Sequence, residues 1–218
     1  MSIALSLGNN LTTGGIFKPA AVNNTSVNNV TDFAGIAGGG TLVLISEQTA
    51  SASASISFTS GIDSTYDEYI FKFINLHPSI NNYFAFNLST DGGSNYNVTK
   101  TTTFFRASHE ENDTATSFGY ITSGDQAQQT SYQRILTSIY TDNDSCGSGT
   151  LHLFAPSSTT YVKHFIVRTS AMQENNKAFD MYVAGYANTT SAINAIDFKF
   201  ESGNIDDGII KMYGVAKS

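Results

Sequence analysis

The most constraining feature of the chain is a two-residue alternation near its C-terminus. Ile196, Phe198 and Phe200 alternate with Asp197, Lys199 and Glu201, and Ile210 and Met212 alternate with Lys211 and Tyr213. A period of two puts successive side chains on opposite faces of an extended strand, so each segment has one apolar and one wet face. Ser202-Gly203-Asn204 and Asp206-Asp207-Gly208 supply turn chemistry, because Gly and Asn tolerate positive φ and Asp ties down its own backbone. The pattern predicts a β-hairpin closing the chain, its apolar face lying on a second sheet.

The same alternation recurs upstream. Strands are predicted over 41–45, 54–58 (Ile56 and Phe58 on one face), 67–74, 83–88, 133–140, 150–155, 161–168 and 179–186, with weaker ones over 101–107 and 117–122. Segment 67–74 is apolar on both faces, so it reads as a central strand covered on both sides and ended by Leu76-His77-Pro78. Asp91-Gly92-Gly93-Ser94 is a turn, His109 to Asp113 an acidic loop, and 126–129 a polar spacer. Segments 150–155 and 161–168 form a hairpin around 156–160. With about ten short strands and no helical period, the chain reads as an all-β, antiparallel two-sheet β-sandwich, a jelly roll if strands of the two sheets interleave.

Composition agrees. Charged residues make up only 13% of the 218, about half the usual share, while 15 Phe and 11 Tyr provide core bulk. Ser, Thr, Asn and Gly fill the remainder and suit turns and strand faces better than helix interiors. A net charge of −7, without any run of Lys and Arg, argues against nucleic acid or an anionic membrane surface as partner. The apolar run at the start is too short for a signal peptide or a membrane span, so no membrane insertion is expected.

Residues 1–40 have a different texture. Gly14-Gly15, Asn23-Asn24, Asn28-Asn29 and Gly38-Gly39-Gly40 cut them into pieces too short to bury much, and Ile16, Phe17, Val27, Val30, Phe33 and Ile36 are dotted without period. Two readings stand: a disordered leader, or an extended arm that orders against a partner subunit, each apolar residue filling its own pocket. The second is the working expectation, with residues 41–218 as the sandwich domain.

The sequence carries few constellations fit for chemistry. His152 and His164 would face each other across a symmetric 156–160 loop, but no third or fourth zinc donor has a recognisable spacing, and a structural pair is the expectation. Asp142-Asn143-Asp144 and Gly147 start like a calcium loop, yet Cys146 and Leu153 stand at two ligand positions. Glu110, Glu111 and Asp113 resemble paired carboxylates for glycoside hydrolysis, but sit in a polar loop with nothing to raise a pKa. Cys146, the single cysteine, has no His or basic neighbour in sequence to activate it. No nucleotide, metalloprotease or serine-hydrolase motif is present. The expectation is no enzyme, no metal and no cofactor. Tyr83, Tyr96 and Tyr120 are the candidate glycan contacts, since a tyrosine ring can stack on a pyranose; the chain has no Trp.

Several stretches carry a resemblance. Leu151 to His164 (LHLFAPSSTTYVKH), Ala184-Gly185-Tyr186, Thr190 to Ile196 (TSAINAI), Ser202 to Gly214 (SGNIDDGIIKMYG) and Asp91-Gly92-Gly93-Ser94-Asn95 resemble β-sandwich modules of tailed-bacteriophage virion proteins, found in tail fibres and on capsid surfaces. The resemblance covers residues 41–218. It implies a non-enzymatic structural protein of the virion, a capsid decoration or short fibre subunit held by its arm to other virion proteins, commonly as a homotrimer. It brings no catalytic residues. The alternative is a carbohydrate-binding module that recognises a host-surface glycan.

Overall fold

Twelve strands, every pairing antiparallel, account for the alternating segments in the computed structural model, which describes residues 42–173 and 176–216. They are β1 (Leu42–Ser53), β2 (Ile56–Phe58), β3 (Glu68–Pro78), β4 (Asn82–Ser89), β5 (Lys100–Glu110) and β6 (Thr116–Tyr120). The second half of the chain gives β7 (Gln133–Ile139), β8 (Gly147–Phe154), β9 (Lys163–Gln173), β10 (Lys177–Ala187), β11 (Ala195–Phe200) and β12 (Ile205–Val215). Among the described residues there is no helix. The six arm residues Ile16, Phe17, Val27, Val30, Phe33 and Ile36 lie outside the described residues.

One sheet has eight strands in the order β1-β12-β3-β8-β9-β10-β5-β6, the other four in the order β2-β11-β4-β7. With the β5–β6 and β9–β10 hairpins set aside, the remaining orders are β1-β12-β3-β8 and β2-β11-β4-β7. That interleaving is the double Greek key of a jelly roll. Both hairpins add to the β8 side of the large sheet, so half of that sheet is an extension of the jelly roll. The predicted all-β, two-sheet, jelly-roll-like fold is the one observed.

The closing hairpin is not. β11 pairs with β2 and β4 in the small sheet, whereas β12 pairs with β1 and β3 in the large one. The segments face each other across the core instead of lying side by side, which buries both apolar faces without a further layer. Their connection is fastened to the neighbouring crossover: Ser79 N–H donates to the Asn204 carbonyl (3.0 Å) and Asn204 N–H to Ser79 Oγ (2.8 Å). Asp206-Asp207-Gly208 is no turn but a bulge within β12, matched by one in β3. Gly208 has φ of 128°, and a Cβ there would come within 2.9 Å of Leu76 Cα.

Strand β3 is central in its sheet, as expected, but is not covered on both sides. It runs through Leu76-His77-Pro78, and only one face is covered by the small sheet. Tyr69, Phe71 and Phe73 are buried; on the other face Ile70 is buried too, whereas Ile74 is 37% exposed. At Asn75, whose φ is 50°, the strand bulges and changes phase, so Leu76 rather than Asn75 continues the core face. Elsewhere strands outrun the sequence signal. β1 continues to Ser53 through a polar stretch, and β5 reaches Glu110 inside the predicted acidic loop.

The core is aromatic and centred on Phe198. Its ring meets Phe58, Phe84 and Phe86 of its own sheet at 6.3, 6.1 and 6.4 Å, and Phe71 and Phe73 of the facing sheet at 5.4 and 5.2 Å. Aromatic pairs of this kind add about 0.5–1.5 kcal/mol each beyond burial. Replacing Phe198 by Ala is expected to cost about 3–5 kcal/mol in equilibrium denaturant unfolding. Ile166→Ala, on the open face of the large sheet, should stay within about 0.5 kcal/mol. Comparable losses at both would contradict this core.

Candidate functional site

Two regions concentrate side chains that packing alone does not require. The first is the open face of the eight-stranded sheet. Reading across it in register, Glu47, Lys211, Lys72, Thr150, Arg168, Tyr182, Phe105 and Tyr120 form one continuous row. Phe105 stacks on Tyr182 with ring centres 4.9 Å apart, and the Arg168 guanidinium lies 5.0 Å from the Tyr182 ring. Arg168 also grips Asp180 through two hydrogen bonds of 3.2 and 2.8 Å, which hold the carboxyl below its usual range. Short side chains, Ser148, Ser170 and Ala178 at one place and Thr103 and Ala184 at another, leave this face low. Above them run a groove of about 600 Å³ floored by Gly149, Thr169 and Phe179 and one of about 480 Å³ floored by Gly185, Phe165 and Thr102.

The second region is the end of the sandwich where the 59–67, 90–99, 121–132, 155–162 and 188–194 connections gather and where β1 begins. Here three of the five motifs that carry the resemblance bond to one another. Gly92 N–H donates to Asn194 Oδ1 (2.8 Å), Asn194 N–H to the Ser89 carbonyl (3.0 Å), and Ile193 N–H to the Pro156 carbonyl (2.9 Å). The 91–95 turn is built around Asp91, whose carboxylate accepts from Ser89 Oγ (2.6 Å), Asn95 N (2.9 Å) and Asn95 Nδ2 (2.7 Å). Those donors, the Ser89 hydroxyl foremost, lower its pKa to about 2.

Beneath this end lie two lysines that alternation turns inward. Lys100 is in phase with Thr102 and Phe104, and Lys163 with Phe165 and Val167; both are fully buried. Each flanks Ala187 of β10 in the register. Lys163 Nζ donates to the Thr189 carbonyl at 3.0 Å. Lys100 Nζ donates to Asn87 Oδ1 at 2.5 Å and to the Val98 carbonyl at 2.8 Å. Burial lowers both lysines, Lys100 to about 7. Asn87, also fully buried, donates from Nδ2 to the Tyr96 and Thr130 carbonyls at 2.5 and 2.9 Å. Directly across from Asn87 stands Asp197, which accepts from Ser57 Oγ (2.5 Å) and Tyr132 Oη (2.8 Å). Period-two phase was the available signal for these lysines, since each falls on the apolar side of its own strand.

The residues singled out in the sequence are scattered. Tyr83, at the start of β4, lies under the Arg134 guanidinium at 4.0 Å. Tyr96 belongs to the loop end, where its carbonyl meets Asn87, itself four strand positions or about 13 Å beyond Tyr83 on β4, and its hydroxyl is buried without a hydrogen-bond partner. Tyr120, 51% exposed, ends β6 at the edge of the large sheet and donates to Asp125 at 2.7 Å. The three do not share a surface.

The histidines do not face each other. The β8–β9 hairpin sets His152 opposite Ile166, so its centre is one residue later than the symmetric loop assumed. His152 Nδ1 instead sits 2.6 Å from Glu68 Oε1, while the His164 ring leans on Tyr186. Among the described residues, no three His, Cys, Asp or Glu side chains are gathered so as to hold a metal ion. Glu110 lies 2.8 Å from Lys177 Nζ, which with Thr114 holds it ionised, the opposite of what a general acid needs. Asp142 serves its own loop through its carbonyl, accepting from Ser145 N–H, and Cys146 is half-buried.

Compared with protein-family models, curated proteins and solved structures, the chain matches none of them.

Asp91 gives a pH-dependent prediction. A carboxyl lowered from 3.8 to about 2 on folding contributes stability above the higher value that is lost as pH falls through the lower. Asp91→Ala should therefore melt below the wild type at neutral pH. The two melting curves should converge as pH falls from 3.8 towards 2. A gap that stays constant over that range would mean the carboxylate does not hold the turn.

Proposed function

We propose that the chain is a non-enzymatic structural protein of a tailed-bacteriophage virion, a capsid-surface decoration or short head or tail fibre subunit. In this reading residues 1–40 attach it to other virion proteins and the sandwich is displayed, as a homo-oligomer with a trimer favoured. The observation that carries the reading is the mutual bonding of three of the five motifs on which the resemblance rests. Residues 91–95, 151–164 and 190–196 are far apart in sequence, yet hydrogen bonds join them at one end of the jelly roll. A likeness scattered by chance has no reason to assemble into one unit.

A glycan-binding reading is favoured by the open face of the large sheet. Its groove above Gly185 is bordered by His164, Tyr186 and Thr103, with Tyr120 exposed on the same side. Aromatic edges and hydroxyls beside a shallow groove suit a sugar ring.

Two experiments separate these readings. Deleting residues 1–36 is expected to leave the melting temperature of the isolated sandwich unchanged while abolishing incorporation into particles, measured by complementation of a virion lacking the protein. Equal loss of folding and attachment would overturn the arm's role. On a glycan array, binding abolished by Tyr186→Ala or Tyr120→Ala would support sugar recognition, and an array without signal for the folded wild type would remove it.

A further inference from the structure

We propose that Lys100 and Asn87 form an intramolecular isopeptide bond, so that the folded chain joins its two sheets covalently through these side chains. The inference is independent of where the protein works. A buried lysine ordinarily needs a carboxylate, and none of the ion pairs among the described residues includes Lys100. Its Nζ is held instead 2.5 Å from the oxygen of a fully buried carboxamide. The contact puts the amine beside Asn87 Cγ, the carbon it would attack.

The surroundings suit the step. Leu88 N–H donates to Asn87 Oδ1 at 2.9 Å, where negative charge develops when the carbonyl becomes tetrahedral. Nδ2, the leaving group, is fixed by its bonds to the Tyr96 and Thr130 carbonyls. Desolvation leaves a large share of the Lys100 amine neutral near neutral pH, and only the neutral amine is a nucleophile. In the reaction the Nζ–Cγ bond forms and the Cγ–Nδ2 bond breaks. One proton passes from Nζ to Nδ2, which departs as ammonia, and nothing is oxidised or reduced. Asp197, across from Asn87 on the adjacent strand and 3% exposed, is the carboxylate available to relay that proton. Lys163 provides the contrast: equally buried, it meets a backbone carbonyl and no side-chain amide.

The test is the intact mass of the full, folded chain after incubation at mildly alkaline pH, measured under denaturing conditions. The wild type should be lighter than its sequence by one ammonia, and trypsin should release a single internally looped peptide, residues 73–106, left uncut after Lys100 and lighter by the same ammonia. Lys100→Arg should restore the sequence mass, remain folded by circular dichroism and melt at a lower temperature. Asp197→Asn should slow the loss of ammonia. Full sequence mass in the folded wild type would overturn the proposal, as would an ammonia loss that persists in Lys100→Arg, which marks a succinimide. Unchanged kinetics in Asp197→Asn would overturn the relay.

Discussion

Two apolar strand faces meeting across a single core are the constraint on which the rest of this molecule depends. Phe198 carries it, since its ring touches phenylalanines from β2, β3 and β4 and so belongs to both sheets at once. Once β11 and β12 must face each other, the connection between them has to change sheets, and the same necessity at β1–β2, β2–β3 and β3–β4 generates the jelly-roll order. The β5–β6 and β9–β10 hairpins then extend one sheet beyond its partner. That asymmetry creates the open face with its aromatic row.

Strand identity was legible in the sequence; strand partnership was not. Ile196, Phe198 and Phe200 announce a face, but a period of two says only which side chains go inward, not whether the next strand lies alongside or opposite. Ser202-Gly203-Asn204 fits either outcome, because glycine at φ 74° serves a crossover as well as a hairpin. Segment 67–74 misled for a related reason. Ile70 and Ile74 look like a second buried face, whereas Ile74 lies on the open side of the sheet. The polar half of β1 had no apolar signature because its order comes from backbone pairing with β12.

The candidate sites divide along the same line. Separations across a hairpin depend on loop phase, so one residue of offset parted His152 from His164. Tyr83, Tyr96 and Tyr120 were grouped by residue type, and nothing in their spacing made them neighbours. Lys100 and Lys163 were overlooked because lysine is ordinarily assigned to solvent, although the alternation around them points inward. What no spacing could give is the meeting of Lys100 with Asn87, since it depends on how the 90–99 connection passes from the small sheet to the large one.

The central claim, that the last two strands oppose rather than pair, is tested most directly by amide-to-amide nuclear Overhauser contacts in a deuterated sample. The fold requires contacts that link Asp197 with Asn87 in one sheet and Lys211 with Lys72 in the other. A ladder of contacts between residues 196–200 and 205–210 would put the two strands in a single sheet and contradict the account.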